Sequence, residues 1–302
     1  LPGFKVVSDD FGNYTQLSSY ATFVDFAIQQ GYTPYKDLFG VGYNFMMHPF
    51  GNKDTMEEIK SNAEKVKQDI GEKLIFVANN EGCHFVNQFL TSYVNSDWVN
   101  NYVESVIYIA PTFAGSGTFQ KLIEGQYGLF LATPTMKKAI YKMPGQLILL
   151  PNHIVYGDTT IIKHYPEHGQ ITKASDIKNF LTNYLHIITD DNSKIYDEIE
   201  HFLKQPIAEP PVKSFIMYNT AINTPSSYKI QRYTEQLQAV LGRGDGVISP
   251  ESAEFACSNW TQVTCLDWGL NKRIYSHDQM INDNTSLTEI FNFISNSSDE
   301  TE

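Results

Sequence analysis

The chain has 302 residues, 42% of them apolar, enough for one large core or two modest ones. Its net charge of −12 argues against nucleic acid as a partner and against an electrostatic membrane anchor. Charged residues make up 19% and aromatics 13%, which excludes a disordered chain and suits a packed globular body. No stretch approaches the ~20 apolar residues of a membrane span, so no transmembrane segment is expected.

The first residue is Leu1 rather than Met and no leader is visible, which reads as a processed or truncated product. Of the three cysteines, Cys257 and Cys265 lie close together and Cys83 far away. A secreted chain would pair the first two and leave Cys83 free; the alternative is three reduced thiols. N-x-S/T sequons stand at Asn13, Asn259, Asn284 and Asn296, a weak pointer to a secreted glycoprotein.

In chain order, Tyr20, Phe23, Val24, Ala27 and Ile28 recur at helical spacing over 18–30, and Gly31 stops the run. A strand-like piece follows at 37–45. Next comes an amphipathic helix with Asp54 or Thr55 as cap, Ile59, Ala63, Val66 and Ile70 as stripe, and Gly71 as stop. A buried strand at 73–77 runs through a sharp turn at 78–82 into a helix carrying Cys83, Val86, Phe89, Leu90 and Val94. Another buried strand lies at 105–109. This alternation predicts βαβ units on a mostly parallel sheet flanked by helices, an α/β fold.

The rhythm breaks from 118 to 211, where helices are expected over 175–189 and 194–203, and returns with a strand at 212–218. A Gly-rich turn at 242–246, a strand at 262–267 and a helix at 287–294 complete the chain. The expected organisation is a core in two parts, 1–117 and 212–294, a cap inserted at 118–211, and a polar, disordered tail at 295–302.

The turn after Val77 has the setting of a nucleophile elbow, a buried strand turning sharply into a helix. The elbow pattern is Gly-x-Ser-x-Gly, and here the five positions read Ala78-Asn79-Asn80-Glu81-Gly82. Further segments carry a resemblance in the same order. They are Leu1-Pro-Gly-Phe4, Gly42-Tyr-Asn-Phe45, Ala110-Pro-Thr-Phe-Ala-Gly-Ser116, Gly242-Arg-Gly-Asp-Gly-Val247 and Ser276-His-Asp-Gln-Met280. Together they resemble the lecithin:cholesterol acyltransferase and lysosomal phospholipase family, which includes phospholipid:diacylglycerol acyltransferases. The resemblance implies an α/β-hydrolase fold with a cap, O-acyltransferase or phospholipase chemistry on lipids, and a secretory or extracellular location.

Carried over residue by residue, Asp245 falls on the triad acid, His277 on the base and Asn80 on the nucleophile. Read without the resemblance, Asp245 is a turn residue and His277 a surface residue beside a helix. A carboxamide nitrogen cannot be deprotonated to attack a carbonyl, because its lone pair is delocalised. Asn nevertheless tolerates left-handed backbone, so Asn80 can keep the elbow's shape. Glu81 supplies the oxyanion N–H, and a carboxylate there disfavours developing negative charge. The family's other oxyanion donor would lie upstream of Leu1, and its Tyr-Asp-Trp element has become Tyr43-Asn44-Phe45.

Other candidates have plainer readings. Cys83 faces the core, Ser116 is a loop residue without a base, and His153, His164 and His168 lack metal spacing and read as solvated. No cofactor or metal is expected. The runs Leu129-Phe-Leu131 and 146–151 would line an acyl pocket, pack on a partner or be ordinary core, with core favoured for the second. The sequence thus points to an inactive homologue that binds a lipid or acyl chain or serves a protein assembly. The alternative is an active enzyme with an unconventional nucleophile or a complementing chain.

Overall fold

In a computed structural model, residues 20–115, 126–127, 130–131, 134–164, 171–230, 237–271 and 274–299 are described. The first parallel pair is β1 (Leu74–Asn79) with β2 (Val103–Ile109). Strand β2 is apolar without alternation from Val106 to Ile109 because both of its faces are covered. Val106 and Tyr108 enter the core on one face, with helices α2 (Lys53–Ile70), α3 (Glu81–Gln88) and α4 (Ser96–Tyr102). Ile107 and Ile109 enter the core on the other face, with helix α1 (Ala21–Gln29) and the last helix of the chain.

Beyond β2 lie β7 (Lys213–Tyr218) and β10 (Val263–Asp267), all parallel, in the order β1-β2-β7-β10. The result is three layers, helices on both faces of a parallel sheet.

Several expectations shift in detail. The segment 37–45 is not a strand; it is a loop pinned by Asn52, whose Oδ1 accepts from Asn44 N at 2.8 Å. Helix α2 starts at Lys53, with Asn52 rather than Asp54 or Thr55 at its N-cap, and ends at Gly71 with φ +85°. The stripe of α2 uses Met56, Ile59 and Ala63, and Ile70 is exposed. The helix expected over 175–189 is a mixed segment of 3-10, α and π turns that ends at Tyr184.

The cap has its own core and a second sheet. Short strands β3 (Gln126–Tyr127) and β4 (Phe130–Leu131) pair with each other. Strands β5 (Thr160–His164) and β6 (Ile171–Lys173) join β8 (Thr224–Ile230) and β9 (Leu237–Gly242) in the order β6-β5-β8-β9. Two strands from beyond residue 211 therefore share a sheet with two from within 118–211. Tyr228, Ile230 and Leu237 pack there with Ile161, Ile162, Leu147 and Leu150. The hydrophobic run at 146–151 is core, as its continuity suggested, and Leu129 lies outside the described residues.

Helices α5 (Pro134–Ile140), α6 (Pro144–Leu147), α7 (His153–Tyr156) and α8 (Ser193–Leu203) complete the cap. Helix α9 (Glu251–Asn259) flanks β10, and α10 (Asn284–Asp299) closes the chain. The tail expected to be disordered from Ser295 is helical through Asp299, because the i→i−4 pattern carries on, with Ser295 Oγ also donating to Phe291 O at 3.0 Å. Cys257 and Cys265 are disulfide-bonded, with Cα atoms 6.1 Å apart, and tie α9 to β10; Cys83 is a buried free thiol. Among the described residues no helix is long and apolar enough to cross a membrane.

Cap and core touch closely at α6. Gly145 N donates to Met46 O at 3.1 Å, and a Cβ on Gly145 would sit 2.0 Å from Phe45 O. Backbone cannot yield as a side chain can, so Gly145→Ala is expected to destabilise the fold by about 1–3 kcal/mol. A thermal melt unchanged from the parent would refute this contact.

Candidate functional site

Strand β1 ends in a forced turn. Asn80 N donates to Ile109 O at 3.0 Å, which carries the β1–β2 ladder one residue past the strand. Helix α3 must start at the next residue, so Asn80 takes φ 53°, ψ −123°. The same backbone conformation occurs at Gly157, φ 47°, ψ −119°, where no side chain is present. On an L-residue it is strained. Ala110, just after β2, is also left-handed at φ 48°, and its N–H donates to Met217 O at 2.8 Å. Sequence reading gave no signal for that second strained position. Gly82 is not sterically demanded: a Cβ there would meet only Tyr43 Oη at 3.9 Å.

The side chain of Asn80 makes no hydrogen bond among the described residues, while its carbonyl accepts from Cys83 N at 3.1 Å and from Thr112 Oγ1 at 3.3 Å. Cys83 packs in the core as expected, fully buried, with its thiol directed at Ala78 O at 3.3 Å. Burial pushes that thiol far up, so it is no thiolate nucleophile.

Asp245 and His277 come together. His277 Nδ1 lies 2.8 Å from Asp245 Oδ2, and His277 N donates to Asp245 O at 3.0 Å. The other carboxylate oxygen, Oδ1, accepts from Val247 N at 2.9 Å and Ile248 N at 2.7 Å. The acid is thereby locked, and an acceptor at Nδ1 leaves Nε2 as the basic nitrogen. Both residues are buried, so His277 is not the surface residue of the plainer reading, while Asp245 does brace its own turn through Val247 and Ile248.

The acid loop is nailed to the fold by Thr224, whose Oγ1 accepts from Gly246 N at 2.8 Å. A Cβ on Gly244 would lie 2.3 Å from that same hydroxyl, so glycine is required there. The Ile222–Asp245 bridge and the bond from Asn219 Nδ2 to Tyr275 O at 2.6 Å hold the dyad near the carboxyl end of β7. Asn80 stands at the carboxyl end of β1, on the same edge of the sheet. That edge is where open α/β sheets bind ligands. No hydrogen bond joins the Asn80 side chain to the dyad among the described residues.

Beside the elbow, Glu81, His84 and Phe85 of α3 face Tyr43, Met47, Pro49 and Ile148 across a cleft of about 10 Å³, the scale of one water. Burial raises the Glu81 carboxyl to about 8, so at neutral pH it is largely protonated rather than a carboxylate. This corrects the expected electrostatic penalty at the elbow: a desolvated carboxyl takes up a proton more cheaply than it stays charged. His84, which sequence reading passed over, has a buried Nε2 without a partner, and burial lowers its imidazole to about 4 against an opposing Phe113 backbone bond. The i,i+3 spacing of Glu81 and His84 on a helix was the available signal.

His153 is not solvated as expected. Its Nε2 is buried and unpartnered, and burial lowers its affinity for a proton. His164 lies in β5, while His168 and Ser116 fall outside the described residues, as do Asn13 and Leu1-Pro-Gly-Phe4. No cluster able to hold a metal ion occurs among the described residues.

The parallel sheet, the left-handed turn after β1 and the buried Asp–His pair at the sheet's carboxyl edge define an α/β-hydrolase fold. Residues 2–209 match the lecithin:cholesterol acyltransferase family, and the chain belongs to it. That match ends before Asp245 and His277. Among curated proteins no match is found. A solved Tle4–Tli4 complex contains a similar chain, with TM-score 0.58 and 13% identity over 82% of this chain and 66% of that one. The rice cell wall degrading esterase LipA from Xanthomonas oryzae gives TM-score 0.40 and 11% identity over 84% of this chain and 67% of that one. This chain spans just under two thirds of the first structure's length, and identities this low speak to fold alone.

The Glu81 proton gives a signed prediction. The folded carboxyl keeps its proton up to about 8, whereas an ordinary carboxyl releases it near 4.5. Its stabilising contribution is full below that lower value and is lost as pH rises through the upper one. Chemical denaturation should show Glu81→Gln matching the parent in acid and exceeding it by a few kcal/mol above pH 8. Parallel pH profiles for the two proteins would show that Glu81 is not desolvated.

Proposed function

We propose that this chain is a non-catalytic member of the lecithin:cholesterol acyltransferase family that binds a lipid or acyl chain or acts as an interaction subunit. Asn80 occupies the nucleophile position, and Asp245 and His277 are the retained acid and base. The observation that carries the reading is Asn80 itself: the strained elbow conformation with a side chain that cannot attack. In a working site His277 Nε2 would take a proton from a hydroxyl, and that oxygen would attack an acyl carbonyl. A carboxamide offers no such oxygen nucleophile, and the one nearby thiol is buried and protonated. The cleft beside the elbow holds about one water, so an acyl chain would enter only after the cap moves away from Tyr43 and Met47.

The intact dyad supports one other reading, an enzyme completed by another segment or chain. The two separate cleanly. The purified chain is expected to release no fatty acid from a phospholipid or acyl ester and to take no fluorophosphonate label. Asn80→Ser is expected to gain the label, and adding His277→Ala to remove it again. Fatty-acid release by the parent chain that disappears with His277→Ala would overturn the non-catalytic reading.

A further inference from the structure

The sequon Asn259-Trp260-Thr261 lies inside the ring closed by the Cys257–Cys265 disulfide, whose cysteines are eight residues apart. In the folded protein the hydroxyl that completes the sequon is occupied. Thr261 Oγ1 lies 3.0 and 3.2 Å from the two carboxylate oxygens of Glu209. Thr261 N and Gln262 N also donate to Glu209 Oε1, at 2.7 and 2.6 Å. The middle residue, Trp260, is buried, with Nε1 donating to Ile207 O at 3.2 Å.

Asn259 is the exception. It is exposed at the end of α9, with Nδ2 donating to Phe255 O at 2.7 Å. A glycosylated amide keeps one N–H, so that bond survives modification. The folded surface therefore tolerates a glycan at a sequon that the folded, oxidised chain no longer presents.

We propose that Asn259 is an N-glycosylation site whose occupancy is set by a race between glycan transfer and closure of the Cys257–Cys265 disulfide. Transfer uses an oligosaccharide on a polyprenyl diphosphate. The anomeric C–O bond to diphosphate breaks, a C–N bond to Asn259 Nδ2 forms, the diphosphate leaves with the electron pair, and an amide proton passes to base. Closure passes two electrons and two protons from the thiols to a disulfide oxidant, which leaves as two thiols. Both reactions belong to the same oxidising compartment. Closure pins the residues on either side of the sequon, brings Trp260 toward its buried site and Thr261 toward Glu209, and so ends access. Asn284 and Asn296 are exposed and lie outside the ring, so their occupancy is independent of it.

The test is glycopeptide mass spectrometry of the chain made in a eukaryotic secretory pathway, with enzymatic deglycosylation in heavy-oxygen water to mark used sites. Occupancy at Asn259 is expected to be partial in the parent. It should rise severalfold in a Cys257→Ala/Cys265→Ala double variant, with Asn284 and Asn296 unchanged. Transfer acts on the unfolded segment, so the reading survives a variant that folds poorly, and a pulse of dithiothreitol on the parent should reproduce the rise without any substitution. Absence of glycan at Asn259 in every form, equal occupancy with and without the disulfide, or an equal rise at all three sites would overturn the proposal.

Discussion

The hydrogen bond from Asn80 N to Ile109 O, 3.0 Å long, sets the form of the site. It carries the β1–β2 ladder past the end of β1 and leaves no residue in which to turn before α3 begins. Asn80 absorbs the whole reversal in one left-handed step. Such a conformation costs of order 1–3 kcal/mol and persists only where surroundings over-determine it. Here they do: Cys83 N and Thr112 Oγ1 hold the Asn80 carbonyl, and the fully buried Cys83 side chain wedges beneath the turn. Asn80 holds these dihedrals with a side chain in place, and they recur at Gly157 where none is present.

The second half of the site rests on different physics. Asp245 is buried but fully paired, taking two backbone N–H groups on one oxygen and His277 on the other. Burying a charged carboxylate without such partners would cost several kcal/mol. The dyad is therefore self-consistent as a structural unit and needs no substrate to keep it ordered. Glu81 shows the opposite outcome in the same protein. It lacks partners of that kind, burial dominates, and the carboxyl keeps its proton instead. Two acids on one edge of the sheet thus differ in their surroundings: protein dipoles and His277 meet the Asp245 carboxyl, and Glu81 has no such partners.

The cap is tied to the core through close backbone approach at Gly145 and through the β8–β9 hairpin, which shares a sheet with β5 and β6. Thr224, first residue of β8, also anchors the loop that carries Asp245. One residue therefore joins the second sheet to the loop that carries Asp245.

The sequence by itself determined the parallel core, because a continuous apolar run such as Val106–Ile109 has no stable place except a strand covered on both faces. Read with the family resemblance, it also singled out Asp245 and His277, which the fold brings within 2.8 Å of each other. Local pattern could not supply what depends on distant partners. Strand β8, reading Thr-Pro-Ser-Ser-Tyr-Lys-Ile, has no apolar run and becomes a strand only because β5 and β9 flank it. The end of α10 was hidden for the same reason. The proton on Glu81 and the orphaned Nε2 of His84 were hidden too, because desolvation is set by the cap and the 43–49 loop closing over α3. Residue type fixes which groups can ionise; only the packing around them decides which do.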